Sequence, residues 1–200
     1  MMRTLAAAVI AAALVAGCHR RPSPPAPTPS TTIPPAPEVC GNCVDDDANG
    51  YIDYEDTHCC PHPAALEGAS VTVVPSSAGD ELTVNARFPS GTLTEPNPLL
   101  DDVTVQVRAG RKLLLCGTIG HQFWTKSGET YRFRPRGTPA TRGLPETFVR
   151  VLPTGAVAVR MEALRPGLAR LTDADWRVTF RIGDGCGSGT AKPRSAPAPE

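Results

Sequence analysis

The sequence predicts an all-β fold, and three observations carry that expectation. Between residues 68 and 187, short runs rich in Val, Thr, Phe and Arg are separated by Gly, Pro and Asp. Several of these runs alternate apolar and polar residues with the two-residue period of a strand, and no segment sustains a helical repeat. A small cysteine-framed acidic loop and a proline-rich stalk precede this region.

Eight segments read as strands: residues 71–74, 81–88, 102–108, 112–116, 130–134, 147–152, 156–161 and 176–182. In the third, Val103, Val105 and Val107 point one way while Thr104, Gln106 and Arg108 point the other. In the last, Trp176, Val178, Phe180 and Ile182 oppose Arg177, Thr179 and Arg181. Such alternation predicts one buried and one solvated face. Eight short strands with turn signals between them have the spacing of an Ig-like β-sandwich or a small barrel. The one helical competitor, residues 161–171, is interrupted by Pro166 and Gly167.

The first 17 residues carry a single charge, Arg3, ahead of an apolar run that ends on Ala16 and Gly17. They read as a signal peptide, because the run is shorter than the roughly 20 apolar residues a permanent span needs. Leu14, Val15, Ala16, Gly17 and Cys18 resemble the lipobox of bacterial lipoproteins. That resemblance implies acylation of Cys18 and a lipid anchor in a membrane. With His19 rather than aspartate after the cysteine, it implies the outer membrane, with the protein facing the periplasm or the surface. Residues 18–38 then form the anchor and linker, with prolines at 22, 24, 25, 27, 29, 34, 35 and 37 imposing extended polyproline geometry. Residues 188–200 are expected to be a disordered tail, having little to bury.

Removing residues 1–17 leaves 19 basic against 20 acidic side chains, a balance that argues against nucleic acid as a partner. Of seven cysteines, setting Cys18 aside leaves Cys40, Cys43, Cys59, Cys60, Cys116 and Cys186. An even number in an oxidising compartment predicts three disulfides. Cys116 and Cys186, near strand ends, are expected to staple the β domain. Adjacent cysteines bond each other only with strain, so Cys40 and Cys43 are expected to pair with Cys59 and Cys60, in an order the sequence leaves open.

Residues 39–63 hold the chemistry. From Asp45 to Asp56 the chain places side-chain oxygens at loop positions 1, 3, 5, 9 and 12, through Asp45, Asp47, Asn49, Asp53 and Asp56, with Gly50 at position 6. Hard Ca²⁺ takes about six to eight oxygens, and the first three groups converge only if the backbone turns sharply, as Gly50 permits. Tyr51 is expected to lend its carbonyl, and Asp46 and Glu55 to face outward. Six acidic side chains and no lysine or arginine lie between Cys40 and Cys60, a crowd that repels itself without a cation. The pattern resembles an EF-hand loop, although the flanking prolines leave no room for paired helices. It is closer to the thrombospondin type 3 repeat and related bacterial surface modules, where cysteines frame an Asp-rich loop. That resemblance spans Cys40 to Cys59. Cys43 and Cys60 depart from it.

Other chemistries are weaker. The Cys40–Cys43 spacing suits a redox motif, but such a motif opens a helix after a strand whereas an acidic loop follows here, and nearby acids disfavour a thiolate. Residues 58–62 offer zinc ligands, but an oxidising compartment removes the thiolates these require. No nucleophile elbow, metalloprotease helix or phosphate loop is present. His121 reads as a surface or turn residue, Trp176 as core, and Trp124 as the better ligand-contact candidate. The expectation is a non-enzymatic calcium-binding envelope lipoprotein, a binding or adhesion module with a protein or carbohydrate ligand. The alternative is a structural envelope-assembly protein without a ligand of its own.

Overall fold

The computed structural model describes residues 36–138, 143–171 and 173–195, which therefore exclude the signal segment, Cys18 and most of the stalk. All eight expected strands are present, and four more join them. A five-stranded sheet is ordered β1 (Ala64–Ala65), β11 (Gly185–Ala191), β10 (Trp176–Ile182), β4 (Val103–Ala109), β5 (Lys112–Ile119). A seven-stranded sheet runs β12 (Pro193–Ser195), β2 (Glu67–Val74), β3 (Asp80–Phe88), β9 (Val157–Arg165), β8 (Glu146–Val151), β7 (Thr130–Phe133), β6 (Trp124–Ser127). The two sheets form a sandwich and do not close into a barrel. Among the described residues the only helical turns are of 3₁₀ type, at Asp53–Glu55, His121–Phe123 and Leu168–Leu171. No helix there is long and apolar enough to cross a membrane.

The alternating strands deliver their apolar sides to one core. Val103, Val105 and Val107 of β4 and Trp176, Val178, Phe180 and Ile182 of β10 meet Val71 and Val73, Leu82, Val84 and Phe88, and Val159 and Met161 from the opposite sheet. Each of these side chains is buried. Burying a large apolar side chain contributes about 1.5–3 kcal/mol, so this interdigitation is the main reason the sandwich holds.

The tail expectation is corrected. Residues 185–191 form β11, paired with β10 in a register that sets Gly187 opposite Phe180, and Pro193–Ser195 pair in parallel with Val71–Val73. Three glycines give β11 poor strand propensity. Tertiary packing overrides it: a Cβ at Gly187 would lie 2.6 Å from the Phe88 ring and 2.8 Å from Leu66, so glycine leaves room for those large core residues. Residues 196–200 lie outside the described set.

A second correction concerns the solvated face of β4. Thr104, Gln106 and Arg108 are all buried, with at most 9% of their surface exposed. Gln106 and Arg108 donate to the Ile52 and Gly50 carbonyls of the cysteine-framed segment, and the Thr104 hydroxyl bonds that of Thr118 on β5. The described residues form one compact unit without a division at residue 63.

Candidate metal site and its disulfide frame

The acidic segment folds almost without secondary structure of its own, so side chains must take up its backbone N–H groups. Carboxylates do most of this, with the Asn42 and Asn49 amide oxygens accepting from the Val44 and Tyr51 N–H groups. Asp45 accepts from the Asn49 N–H (3.1 Å) and the Gly50 N–H (2.9 Å), and Asp47 accepts from the Asn49 N–H (3.1 Å). Gly50 has φ +92°, the left-handed turn expected of position 6, with open space around its Cα. Glycine is needed there for its dihedral alone.

Of the five expected side chains, Asp45 and Asp47 bring ligand oxygens together, and Asn49 and Asp56 are linked to them by hydrogen bonds. The Asn49 amide nitrogen bridges the carboxylates of Asp47 (2.9 Å) and Asp56 (2.5 Å), and Asp45 and Asp47 offer oxygens within 4.8 Å of each other. Asp56 is buried and also accepts from the His58 N–H. The Asn49 amide and that N–H hold its carboxyl below the usual carboxylate range.

Asp53 is the exception and is corrected. Its carboxylate turns away from the loop and receives the N–H groups of Gly41 (2.5 Å), Asn42 (2.9 Å) and Cys43 (2.8 Å). It is fully buried; desolvation raises its pKa, the three N–H bonds counter that, and the charge of Asp46 adds to it. Asp53 therefore organises the turn between Cys40 and Cys43 and is not positioned as a ligand with the others.

Glu38 takes its place. This residue, read from sequence as the end of the stalk, is 4% exposed and presents an oxygen within 4.8 Å of those of Asp45 and Asp47. It also accepts from the Asp46 N–H (2.8 Å) and the Asp53 N–H (2.7 Å), clasping both arms of the loop. Its one signal in the sequence is that it is the only acid among residues 18–44. Three carboxylate oxygens this close together could hold a metal ion.

Glu55, expected to face outward, is instead buried. Its side chain is 2% exposed and pairs with Arg108 at 3.0 Å. Burial raises its pKa despite the neighbouring guanidiniums of Arg108 and Arg177. Asp46 is half-buried and accepts from the Val39 N–H (3.2 Å) and the Asn42 amide (2.7 Å). Tyr51 lies with Arg108 and Arg177 at 5.8 and 5.7 Å from its ring centroid, and the Gly50 carbonyl accepts from Arg108 at 2.6 Å. The sheet thus fixes the middle of the acidic loop.

The disulfides complete that attachment and overturn two expected pairings. Cys40 joins Cys59 within the segment, while Cys43 joins Cys116 on β5 and Cys60 joins Cys186 on β11. The expected Cys116–Cys186 staple is absent; each half bonds to the segment instead. All six cysteines are thus oxidised, so the grouping of Cys43, Cys116 and Asp53 offers no thiolate to a metal.

Two further candidates resolve. Trp124 is 5% exposed, packed 6.1 Å from Phe133, and so belongs to the core rather than to a ligand surface. His121 lies exposed in a turn beside Asp102 (3.1 Å). No protein-family model matches this chain, and no curated protein matches it.

Proposed function

We propose that this protein is a non-enzymatic, calcium-binding lipoprotein of the cell envelope, anchored through Cys18 and serving as a binding or adhesion module. The convergence of Glu38, Asp45 and Asp47 within 4.8 Å, with Asn49 and Asp56 linked to the same cluster, carries the reading. With the Tyr51 carbonyl, and with the Asn49 amide turned to present its oxygen, these groups would supply six oxygens, the lower end of what Ca²⁺ takes. No lysine or arginine belongs to the segment that holds them, so a divalent ion would relieve the mutual repulsion. Position 12 is Asp56 rather than a bidentate glutamate, and extracellular modules bind weakly, so the affinity falls in the range of about 10⁻⁵–10⁻³ M.

The anchor rests on the lipobox-like residues 14–18, and six paired cysteines suit the oxidising compartment to which it leads. Calcium then rigidifies the junction between stalk and sandwich. Terbium luminescence on the mature protein, with calcium as competitor, tests the site: one saturable ion per chain is expected, lost in Asp47→Ala. An undiminished signal in that variant, or no calcium response, ends the calcium reading. Detergent phase partitioning of the protein and of Cys18→Ser tests the anchor, with only the variant expected in the aqueous phase.

A further inference from the structure

The outer face of the seven-stranded sheet carries a row of side chains in direct register across five strands. Thr125 of β6 pairs with Arg132 of β7, Arg132 with Phe148 of β8, Phe148 with Arg160 of β9, and Arg160 with Asn85 of β3. Of the five phenylalanines, Phe148 alone neither belongs to the core nor packs against it. The Arg132 guanidinium lies over its ring at 4.9 Å. A half-buried aromatic ring on the outer face, with an arginine over it, is not explained by folding: burial would contribute more if it faced inward.

Two grooves meet on this row. One, of about 780 Å³, lies over β6–β8, and the other, of about 560 Å³, over β7–β9 and β3. Thr130, Arg132 and Phe148 line both, so the grooves are continuous and run across the strands. At about 4.8 Å between strands, five strands span about 19 Å, the reach of a short oligosaccharide.

Positive charge is in excess, five arginines against three glutamates. Among the described residues Arg132, Arg134 and Arg136 line the first groove and no acid does; Arg150 and Arg160 line the second, where Arg160 pairs with Glu162 (2.5 Å) and Arg150 lies 3.9 Å from Glu129. Arg132 and Arg134 share the single carboxylate of Glu146, at 2.6 and 3.0 Å, leaving positive charge in excess. Arg134 and Arg150 are 64% and 58% exposed.

We infer that this face binds a linear polysaccharide bearing carboxylate or sulfate groups. The guanidiniums pair with its anionic groups, the threonine and serine hydroxyls of β6 and β7 lie beside them for its hydroxyls, and the Phe148 ring takes the apolar face of a sugar. An acidic polypeptide is the poorer fit, since the grooves cross the sheet face and offer no strand edge for main-chain pairing. The inference deepens the binding-module reading by naming its ligand class, and it does not depend on the calcium loop.

Binding of alginate, heparin and neutral dextran to the intact mature protein, by calorimetry at low and physiological ionic strength, tests it. Saturable binding of at least one acidic polysaccharide and none of dextran is expected, weakening with salt. Arg134→Ser with Arg150→Ser should weaken binding about tenfold or more, and Phe148→Ala should also weaken it, both with unchanged melting temperature and terbium stoichiometry. Equal binding of dextran, binding unaffected by these variants, or equal affinity for poly-glutamate overturns the inference. Loss of terbium binding in Asp47→Ala with polysaccharide binding intact separates the two sites.

Discussion

Arg108 reaches from the sheet to the Gly50 carbonyl at 2.6 Å, tying the sharpest turn of the acidic loop to the outer side of β4. The same guanidinium pairs with the buried Glu55 at 3.0 Å. One side chain thus supports both the loop and the only ion pair beneath it among the described residues, and its neighbours carry the first expectation.

Arg108→Met leaves Glu55 buried without its closest cation and releases Gly50. Breaking a buried pair in this way costs on the order of 3–5 kcal/mol, which urea unfolding followed by circular dichroism measures. Glu55→Gln combined with Arg108→Met should recover part of the loss, because no uncompensated charge then remains. A single-variant loss below about 1 kcal/mol would contradict the pairing seen here.

Asp53 and Asp45 should separate cleanly. Asp53→Ala strands the N–H groups of Gly41, Asn42 and Cys43 in a buried site, at a cost on the order of 3 kcal/mol, while terbium stoichiometry in the folded protein stays at one. Asp45→Ala should do the reverse, with terbium affinity falling at least about tenfold and metal-free stability changing by less than about 1 kcal/mol. If Asp53→Ala removes the ion and leaves the melting temperature alone, its assignment to the turn is wrong.

Stability should peak in mild acid when calcium is chelated. Asp53 and Glu55 have raised pKa values, mainly from burial, so the folded state takes up protons before the unfolded chain does. Their contribution grows as pH falls from neutrality and is complete below the unfolded value of about 4. Asp56, Asp102 and Glu146 behave oppositely. Their lowered values come from the Asn49 amide, from the His121 N–H, and from Arg132 with Arg134 outweighing desolvation, so stability they supply above about pH 4 is lost below it. Thermal melts from acid to neutral pH should show the maximum, and Glu55→Gln should flatten its neutral side.

Peptide mapping under non-reducing conditions should recover Cys43 linked to Cys116 and Cys60 linked to Cys186, with no Cys116–Cys186 peptide. The second bond joins residues 126 apart, so replacing both of its cysteines with serine removes about 5 kcal/mol in the loop-entropy model. Cys40 with Cys59, only 19 apart, should cost about 3 kcal/mol. Chemical denaturation of the two double variants orders them.

Local pattern was enough for β4 and β10, where valines and aromatics recur at every second residue and every predicted apolar side chain reached the core. The same rule misjudged Thr104, Gln106 and Arg108, because alternation reports which side faces the partner sheet and not whether another segment covers the opposite side. The polar character of Gln106 and Arg108 suits the carbonyls and carboxylate they meet, which only the docked segment supplies. β11 was illegible for a related reason: its glycines answer to Phe88 and Leu66, residues far away in the chain.

By itself the sequence determined the period-two core, the sharp turn at Gly50, and the gathering of Asp45, Asp47, Asn49 and Asp56, all of which depend on residues close together in the chain. Tertiary structure decided which cysteines meet, that Glu38 joins the acidic cluster while Asp53 leaves it, and that Trp124 is core while Phe148 faces solvent. Those outcomes depend on how one sheet packs on another and on what lies over its outer side. A linear pattern carries the local dihedrals and the apolar period, but the distance between residues remote in the chain is set only when the whole sandwich closes.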